Sequence, residues 1–262
     1  MLTEAKNQFK ISLLSIKYAL EREMLNKVSF ISNIVFMILN NASFIVQWII
    51  IYSLKEDIGG YSFKMVMLLW ALAALTYGIS RFFFRDSFEL SDTINKGGLD
   101  NYILLPKNIL LSCITSSVEV SAIGDIIYGY IIICIVAIDK IFLFTYLGIL
   151  GGITITCIAV IIASLSFYFG KTENIANTVN SIMTNFATYP GTIFKGFIRI
   201  LFYTILPLSI TCYVPVEILT NFDIFKLIYV TLGTLFFIAL TYIIFYKGLK
   251  RYSSTNLMNA RI

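Results

Sequence analysis

The chain has 262 residues, of which 58% are hydrophobic and only 13% charged, about half the charged fraction of a soluble domain, so a soluble globular protein is excluded. The formal net charge of +5 does not indicate nucleic acid, because the basic residues stand at the ends of apolar runs and form no continuous basic face. Histidine is absent, which removes the commonest metal ligand and general base; the four cysteines, Cys113, Cys134, Cys157 and Cys212, are scattered singly with no CxxC spacing and read as small buried apolar residues.

Residues 1–27 carry charges throughout and lack the uninterrupted apolar core of a signal peptide. The spacing predicts an amphipathic helix with Phe9, Leu13, Ile16 and Leu20 on one face and Lys6, Lys10, Lys17 and Arg22 mainly elsewhere, suited to a cytoplasmic membrane interface. A first span follows at 28–54. Its amides Asn33, Asn40, Asn41 and Gln47 are costly in lipid and must face protein or water. The loop 55–61 with Gly59-Gly60 is read as external, and the second span, 63–84, ends at the cytoplasmic boundary between Arg81 and Arg85.

Residues 85–108, RDSFELSDTINKGGLDNYILLPKN, form the longest polar island between the apolar blocks. Phe88, Leu90 and Ile94 make one side of a short helix, with Glu89, Asp92 and Lys96 turned to water. Gly97-Gly98 stops that helix, since glycine supplies the left-handed conformation of a helix C-terminus. Leu99-Asp100, the apolar tetrad Tyr102-Ile103-Leu104-Leu105 and Pro106 then form a hook. The pattern fits a docking element at a membrane surface, and it also fits an ordinary cytosolic loop.

The third span, 109–138, holds Glu119 and Asp125. A carboxylate at the bilayer centre costs about 2.5–3.5 kcal/mol on insertion scales. Glu119 lies near the cytoplasmic end, where a bond to a neighbouring helix accounts for it; Asp125 reads equally as a functional group, a polar lining or an interhelical switch, or as an acid near the interface bonded to a neighbouring helix. Asp139-Lys140 make an outer turn, and the fourth span, 141–169, carries Gly148, Gly151 and Gly152, which permit close helix approach.

Residues 173–189 are only moderately apolar. Asn177, Asn180, Thr184 and Asn185 belong to a wet side, and Ile175, Val179, Ile182, Met183 and Phe186 to a dry one. Residues 193–219 are more apolar but interrupted by Pro207 and Pro215. Two topologies compete: 173–189 is a surface helix and 193–219 the fifth span, or 173–189 is itself the fifth span and 192–219 dips into the outer leaflet and returns. The last span is 225–246. In the six-span arrangement the cytoplasmic side receives 14 of the 20 basic residues, namely five N-terminal, four around the loop, Lys171 and four at the C-terminal end including Arg261, which places both termini inside.

No catalytic constellation emerges. Gly170-Lys171-Thr172 lacks the upstream glycine of a phosphate loop, Leu165 standing in its place. No three-span repeat and no repeated polar ring marks a gradient-driven carrier or a channel. A chain without an engine of its own is then the membrane half of an externally powered machine, or a non-transporting scaffold or immunity protein docking a cytosolic partner.

Two blocks, NKGGLDNYILLPKN at 95–108 and YPGTIF…RILFYTILPLSITCYVPVEIL at 189–219, resemble the ABC-2 type transporter permeases, and with the span count the likeness covers essentially the whole chain. The resemblance implies an all-α integral membrane protein: an N-terminal amphipathic connector helix (1–27) and a six-span transmembrane domain (28–262). It implies a coupling helix in 85–108, with Phe88, Glu89, Ile94, Gly98, Leu99, Asp100, Leu104 and Pro106 as partner-binding positions. It also implies an outer re-entrant helical pair at 192–219, with Pro190, Pro207 and Pro215 at its turns, which favours the second topology. Asn177, Asn180, Thr184, Asn185 and Asp125 would line the translocation path. The implied partners are a separate ABC ATPase subunit, a second permease chain (the same or a different one) and membrane lipid, with no nucleic acid. No cofactor is expected on this chain; ATP and Mg belong to the partner subunit. The expected activity is export of a hydrophobic or amphipathic cargo such as a drug, peptide or lipid-like molecule, with no catalysis by this chain. Lys195 and Arg199 on the outer side sit at headgroups or attract an anionic cargo. The abundant Ile, Asn and Lys match an AT-rich bacterial genome and hence a bacterial cytoplasmic membrane.

Overall fold

The computed structural model describes residues 2–170 and 172–253, with side chains from residue 6 onward. Lys171 and Arg261, used above in counting charge, lie outside the described residues. In chain order the helices are α1 (Leu2–Glu23), α2 (Lys27–Leu54), α3 (Phe63–Phe83), α4 (Leu90–Asn95), α5 (Asp100–Ile103), α6 (Ile109–Ile114), α7 (Ser121–Val136), α8 (Ile141–Ser164), α9 (Ser166–Phe169), α10 (Glu173–Ala187), α11 (Gly196–Thr204), α12 (Val214–Thr220) and α13 (Ile224–Leu249). Among the described residues β pairing is confined to one bridge, Ile58 with Tyr61. Among the described residues four helical runs are long and apolar enough to cross a membrane: α2, α3, the run Ile138–Phe169 containing α8, and α13. A bent pair, α11 with Ser209–Thr220, makes a fifth if counted as one span.

The centre is the seam between α3 and α8. Most of α3 from Val66 to Ser80 is buried, and α8 meets it through glycines. A Cβ on Gly152 would come within 2.7 Å of Ile79 Cγ2 and 3.1 Å of the Thr76 carbonyl. The close approach expected of these glycines is therefore present. Buried hydroxyls fasten the seam: Ser80 Oγ and Thr156 Oγ1 are 2.8 Å apart, and Thr154 Oγ1 bonds Thr234 of α13 at 3.0 Å. In contrast, only Asn41 and Trp48 of the 28 residues of α2 are buried.

The two ends of the bundle are distinct. At one end Thr192 Oγ1 donates to the Gly59 carbonyl, Tyr52 donates to the Tyr61 carbonyl at 2.6 Å, and Lys140 Nζ donates to the Leu219 and Thr220 carbonyls at 2.6 and 3.3 Å. The opposite end gathers α4, α5, α6 and α9 around Leu90, Ile94, Leu99, Leu110, Phe167 and Phe245, and closes over a buried triangle of hydroxyls, Ser91, Ser166 and Thr172, 2.6–3.2 Å apart. The chain leaves this end at Thr172, follows α10 past α8 and α3, and reaches Gly59 by Thr192. Residues 192–220 thus begin and finish at the same end, bent by 73° between α11 and Ser209–Thr220.

Several expectations need correction. The run 109–138 is not one helix: α6 stops at Ile114 and α7 begins at Ser121, because Ser116 and Ser117 are drawn away to Asp86, donating to its Oδ2 and Oδ1 at 2.8 and 2.6 Å. The buried stripe of α1 is Gln8, Ile16 and Ala19, while Phe9 and Leu13 stay exposed. Gln8 sets that rotation by accepting from the Asn108 amide at 3.0 Å and donating to Ser112 at 3.3 Å. Cys134 is exposed, unlike the other three cysteines. Pro215 sits in the first turn of α12 and does not end a helix. Lacking an N–H, it leaves the turn before it in the wider π form, Ser209–Tyr213.

Candidate functional site

The loop at 85–108 folds largely as its residues dictate. After α4, Gly97 takes φ +76°, the Gly98 amide donates to the Thr93 carbonyl at 2.8 Å and the Gly97 amide to Ile94 at 3.3 Å. This paired closure terminates a helix on a left-handed glycine. Leu90, Ile94 and Leu99 are fully buried, Phe88 and Asp100 half-buried, and Glu89 and Lys96 exposed. Lys96 Nζ pairs with Asp92 at 2.8 Å, and that hydrogen bond holds the amine above its ordinary pKa. Tyr102 is half-buried, its hydroxyl 2.9 Å from Ser116. The hook that follows faces outward, with Ile103 42%, Leu104 84% and Leu105 47% exposed and Pro106 exposed beside them. The partner-binding set therefore splits. Ile94, Gly98 and Leu99 build the frame, whereas Glu89, Leu104 and Pro106 lie on the surface.

A polar cleft begins beside this frame. Asn177, Asn180, Thr184 and Asn185 of α10 line one cavity of about 430 Å³ together with Arg81, Phe88 and Glu89. Arg81, Thr184 and Asn185 also line a second cavity, of about 410 Å³, which continues between α2, α3, α7 and α10. Its other walls include Asn40, Asn41, Gln47, Glu119 and Asp125, with Phe44, Trp48, Trp70 and Tyr77 as the apolar part. Of the five residues expected along a path, the four on α10 line the first cavity, Asp125 lines the second, and Thr184 and Asn185 line both.

Three contacts organise the cleft. Arg81 Nη1 donates to Glu119 Oε2 at 3.0 Å, and its guanidinium lies 4.9 Å from the centre of the Phe88 ring, so one side chain joins the loop frame to the cleft wall. Glu119 is tied to a neighbouring helix as expected. Asn41 Nδ2 donates to Asp125 Oδ1 at 2.6 Å, with both side chains about nine-tenths buried. Beside that bond, a Cβ on Gly124 would lie 2.6 Å from the Ile34 carbonyl, so α2 and α7 touch backbone to backbone. Asp125 is therefore both lining and tie.

Sequence reasoning did not anticipate the aromatic wall or the Arg81–Glu119 pair. One signal was available: the chain has just two tryptophans, and both stand on the spans that flank the cleft. The prolines separate. Pro190 is buried at the entry to the 192–220 segment, Pro207 stands at the break after α11, and Pro215 lies within α12. Lys195 and Arg199 are exposed on and beside α11 with Phe197, Ile198 and Ile200, and Arg199 lies 5.4 Å over the Tyr203 ring.

The curated proteins and the solved structures give no match to this chain. A family model described as "ABC-2 family transporter protein" matches residues 24–256, a span that includes the loop frame, the cleft and the bent pair. With its apolar helices, this is a multi-pass membrane protein, and the chain belongs to the ABC-2 family of transporter proteins.

Proposed function

We propose that the chain is the permease subunit of an ATP-driven exporter in a bacterial cytoplasmic membrane. It takes its energy from a separate ABC ATPase subunit that holds ATP and Mg, and it works as a pair with a second permease chain. The observation that carries this reading is the exposed hook 103–106 standing on a buried frame. A docking element must transmit force, and Leu90, Ile94 and Leu99 root this one beneath α8 and α13, while Leu104 projects with 84% of its surface exposed. Three consecutive large apolar side chains left uncovered by the rest of the chain, Ile103, Leu104 and Leu105, are what a docking surface presents.

In this reading α2, α3, α7, α8, α10 and α13 make six crossings. The end bearing α4–α6 faces the cytoplasm with both termini, and residues 192–220 re-enter from the outer side. The path of α10 between the two ends supports this, although at 15 residues and with a wet face it is too short and too polar to count as a span by length and composition. Residues 1–27 act as the connector helix, since α1 rests on α6 through Gln8 and on the base of α3 through Ile16 and Ala19. ATP-driven closure of the paired ATPases would draw the two hooks together. Arg81, bonded to Glu119 and stacked on Phe88, would carry that movement to the cleft, from which a hydrophobic or amphipathic cargo leaves outward.

The test is purification of the tagged chain from its native membrane in mild detergent, with identification of what accompanies it. A stoichiometric ABC ATPase, lost in the Leu104→Asp variant without a fall in melting temperature, supports the reading. A preparation free of any ATPase overturns it and leaves a scaffold or immunity protein.

A further inference from the structure

The geometry points to the cavity between α2, α3, α7 and α10 as a binding site for an amphipathic cation, with Asp125 as its counter-charge and the rings of Phe44, Trp48 and Trp70 as its apolar wall. This inference names the cargo class and rests on reading the chain as a permease.

The argument begins with charge. Three charged side chains line the cavity, the basic Arg81 and the acidic Glu119 and Asp125. Arg81 is committed to Glu119 at 3.0 Å. Asp125 is bonded by a neutral amide, Asn41 Nδ2 at 2.6 Å, and among the described residues no lysine or arginine lies within ion-pair distance of it. The cavity therefore holds one formal negative charge in excess. Burying a carboxylate is costly unless a cation or several donors meet it, and one amide donor satisfies one of its two oxygens.

The wall supplies the second half of the recognition. Phe44 and Trp70 stack with ring centroids 4.9 Å apart, and Trp48 meets Tyr189 edge to face at 5.9 Å. Aromatic faces attract a cation through their quadrupole and accept its apolar groups at the same time. The volume of about 410 Å³ falls in the range of roughly 300–1,000 Å³ typical of small-molecule sites. An anionic cargo would meet the charge of Asp125 with Arg81 already taken, and Lys195 and Arg199, which do not line the cavity, do not make it an anion site.

The experiment uses the purified full chain in uncharged detergent, reading the fluorescence of Trp48 and Trp70, its two tryptophans. The probe is tetraphenylphosphonium, and the control is tetraphenylborate, which has the same shape and the opposite charge. The expected result is a saturable change with the phosphonium and one at least about tenfold weaker with the borate. Removing one partner of a buried charge pair should weaken phosphonium binding by roughly thirtyfold in Asp125→Asn, while Asp125→Glu retains binding. Phe44→Leu, which alters the wall and leaves the charge, should weaken it severalfold and serves if Asp125→Asn fails to fold. Equal responses to both ions, or phosphonium binding indifferent to these variants, would overturn the proposal and leave Asp125 as a tie between α2 and α7. The assay needs no ATPase. Loss of binding therefore leaves the co-purification result standing, and a failed co-purification with intact binding would sink the permease reading alone.

Discussion

The bond between Asn41 and Asp125 should behave as the clamp that holds α2 onto the rest of the molecule. Replacing Asn41 with alanine removes the donor and strands a carboxylate whose residue is only 9% exposed. Hydrogen bonds between neutral groups on membrane helices average about 0.6 kcal/mol, but those to ionised acceptors contribute about 1.5–3 kcal/mol. With the Asp125 carboxylate ionised, this bond, 2.6 Å long, belongs to the second class. A double-mutant cycle of Asn41→Ala, Asp125→Ala and the pair should therefore give a coupling of about 2 kcal/mol, with the double variant less destabilised than the sum of the singles. Denaturant unfolding in detergent, followed by tryptophan fluorescence, is the assay. Trp48 is buried on α2 and Trp70 stacks on Phe44 of α2, so both report its detachment. A coupling under about 0.5 kcal/mol, the level of distant independent sites, would refute the reasoning and show that Gly124 and Trp48 hold α2 unaided.

Two other substitutions probe the frame around the cleft. Gly152→Val places branched carbons against Ile79 and the Thr76 carbonyl, where even a Cβ comes within 2.7 and 3.1 Å; it should destabilise by about 1–3 kcal/mol and lower the melting temperature in detergent. Gly97→Ala forces a side chain to φ +76° at a cost of about 1–2 kcal/mol. It should speed protease cleavage within the loop and weaken ATPase capture while the global melting temperature moves little.

What could be read from the sequence was what local chemistry decides. The four long spans followed from unbroken apolar runs, and the stop after α4 followed from Gly97-Gly98, because a left-handed helix end depends on a few adjacent residues. What was hidden depended on partners far along the chain. Nothing within 109–138 announces the break at 115–120, since the acceptor that captures Ser116 and Ser117 is Asp86. The face on which α1 rests is set by Gln8 reaching Asn108 and Ser112, a polar residue that a hydrophobic stripe ignores. Asn41 and Asp125 each stood out as costly in lipid, yet their pairing required knowing that α2 crosses α7 at Gly124. The amide side of α10 was legible in part: Asn177, Thr184 and Asn185 are exposed, but Asn180 is buried and Ile175, assigned to the dry side, is exposed. The aromatic wall opposite was not legible, because Phe44 and Trp70 look like any other lipid-facing rings until their helices are brought together.

The sparse attachment of α2 also bears on how the protein is made. Asn41 meets a partner that lies 84 residues further along the chain. At a synthesis rate of about 5–20 residues per second, that partner emerges on the order of 4–17 s later. During that interval α2 must reside in the bilayer with Asn41 unanswered, touching little beyond α3 through the Phe44–Trp70 stack, held there by its own hydrophobicity. Its association with α7 is thus a late event in biogenesis, and the interval before it is when a chain lacking Asp125 becomes distinguishable to the quality-control machinery of the membrane.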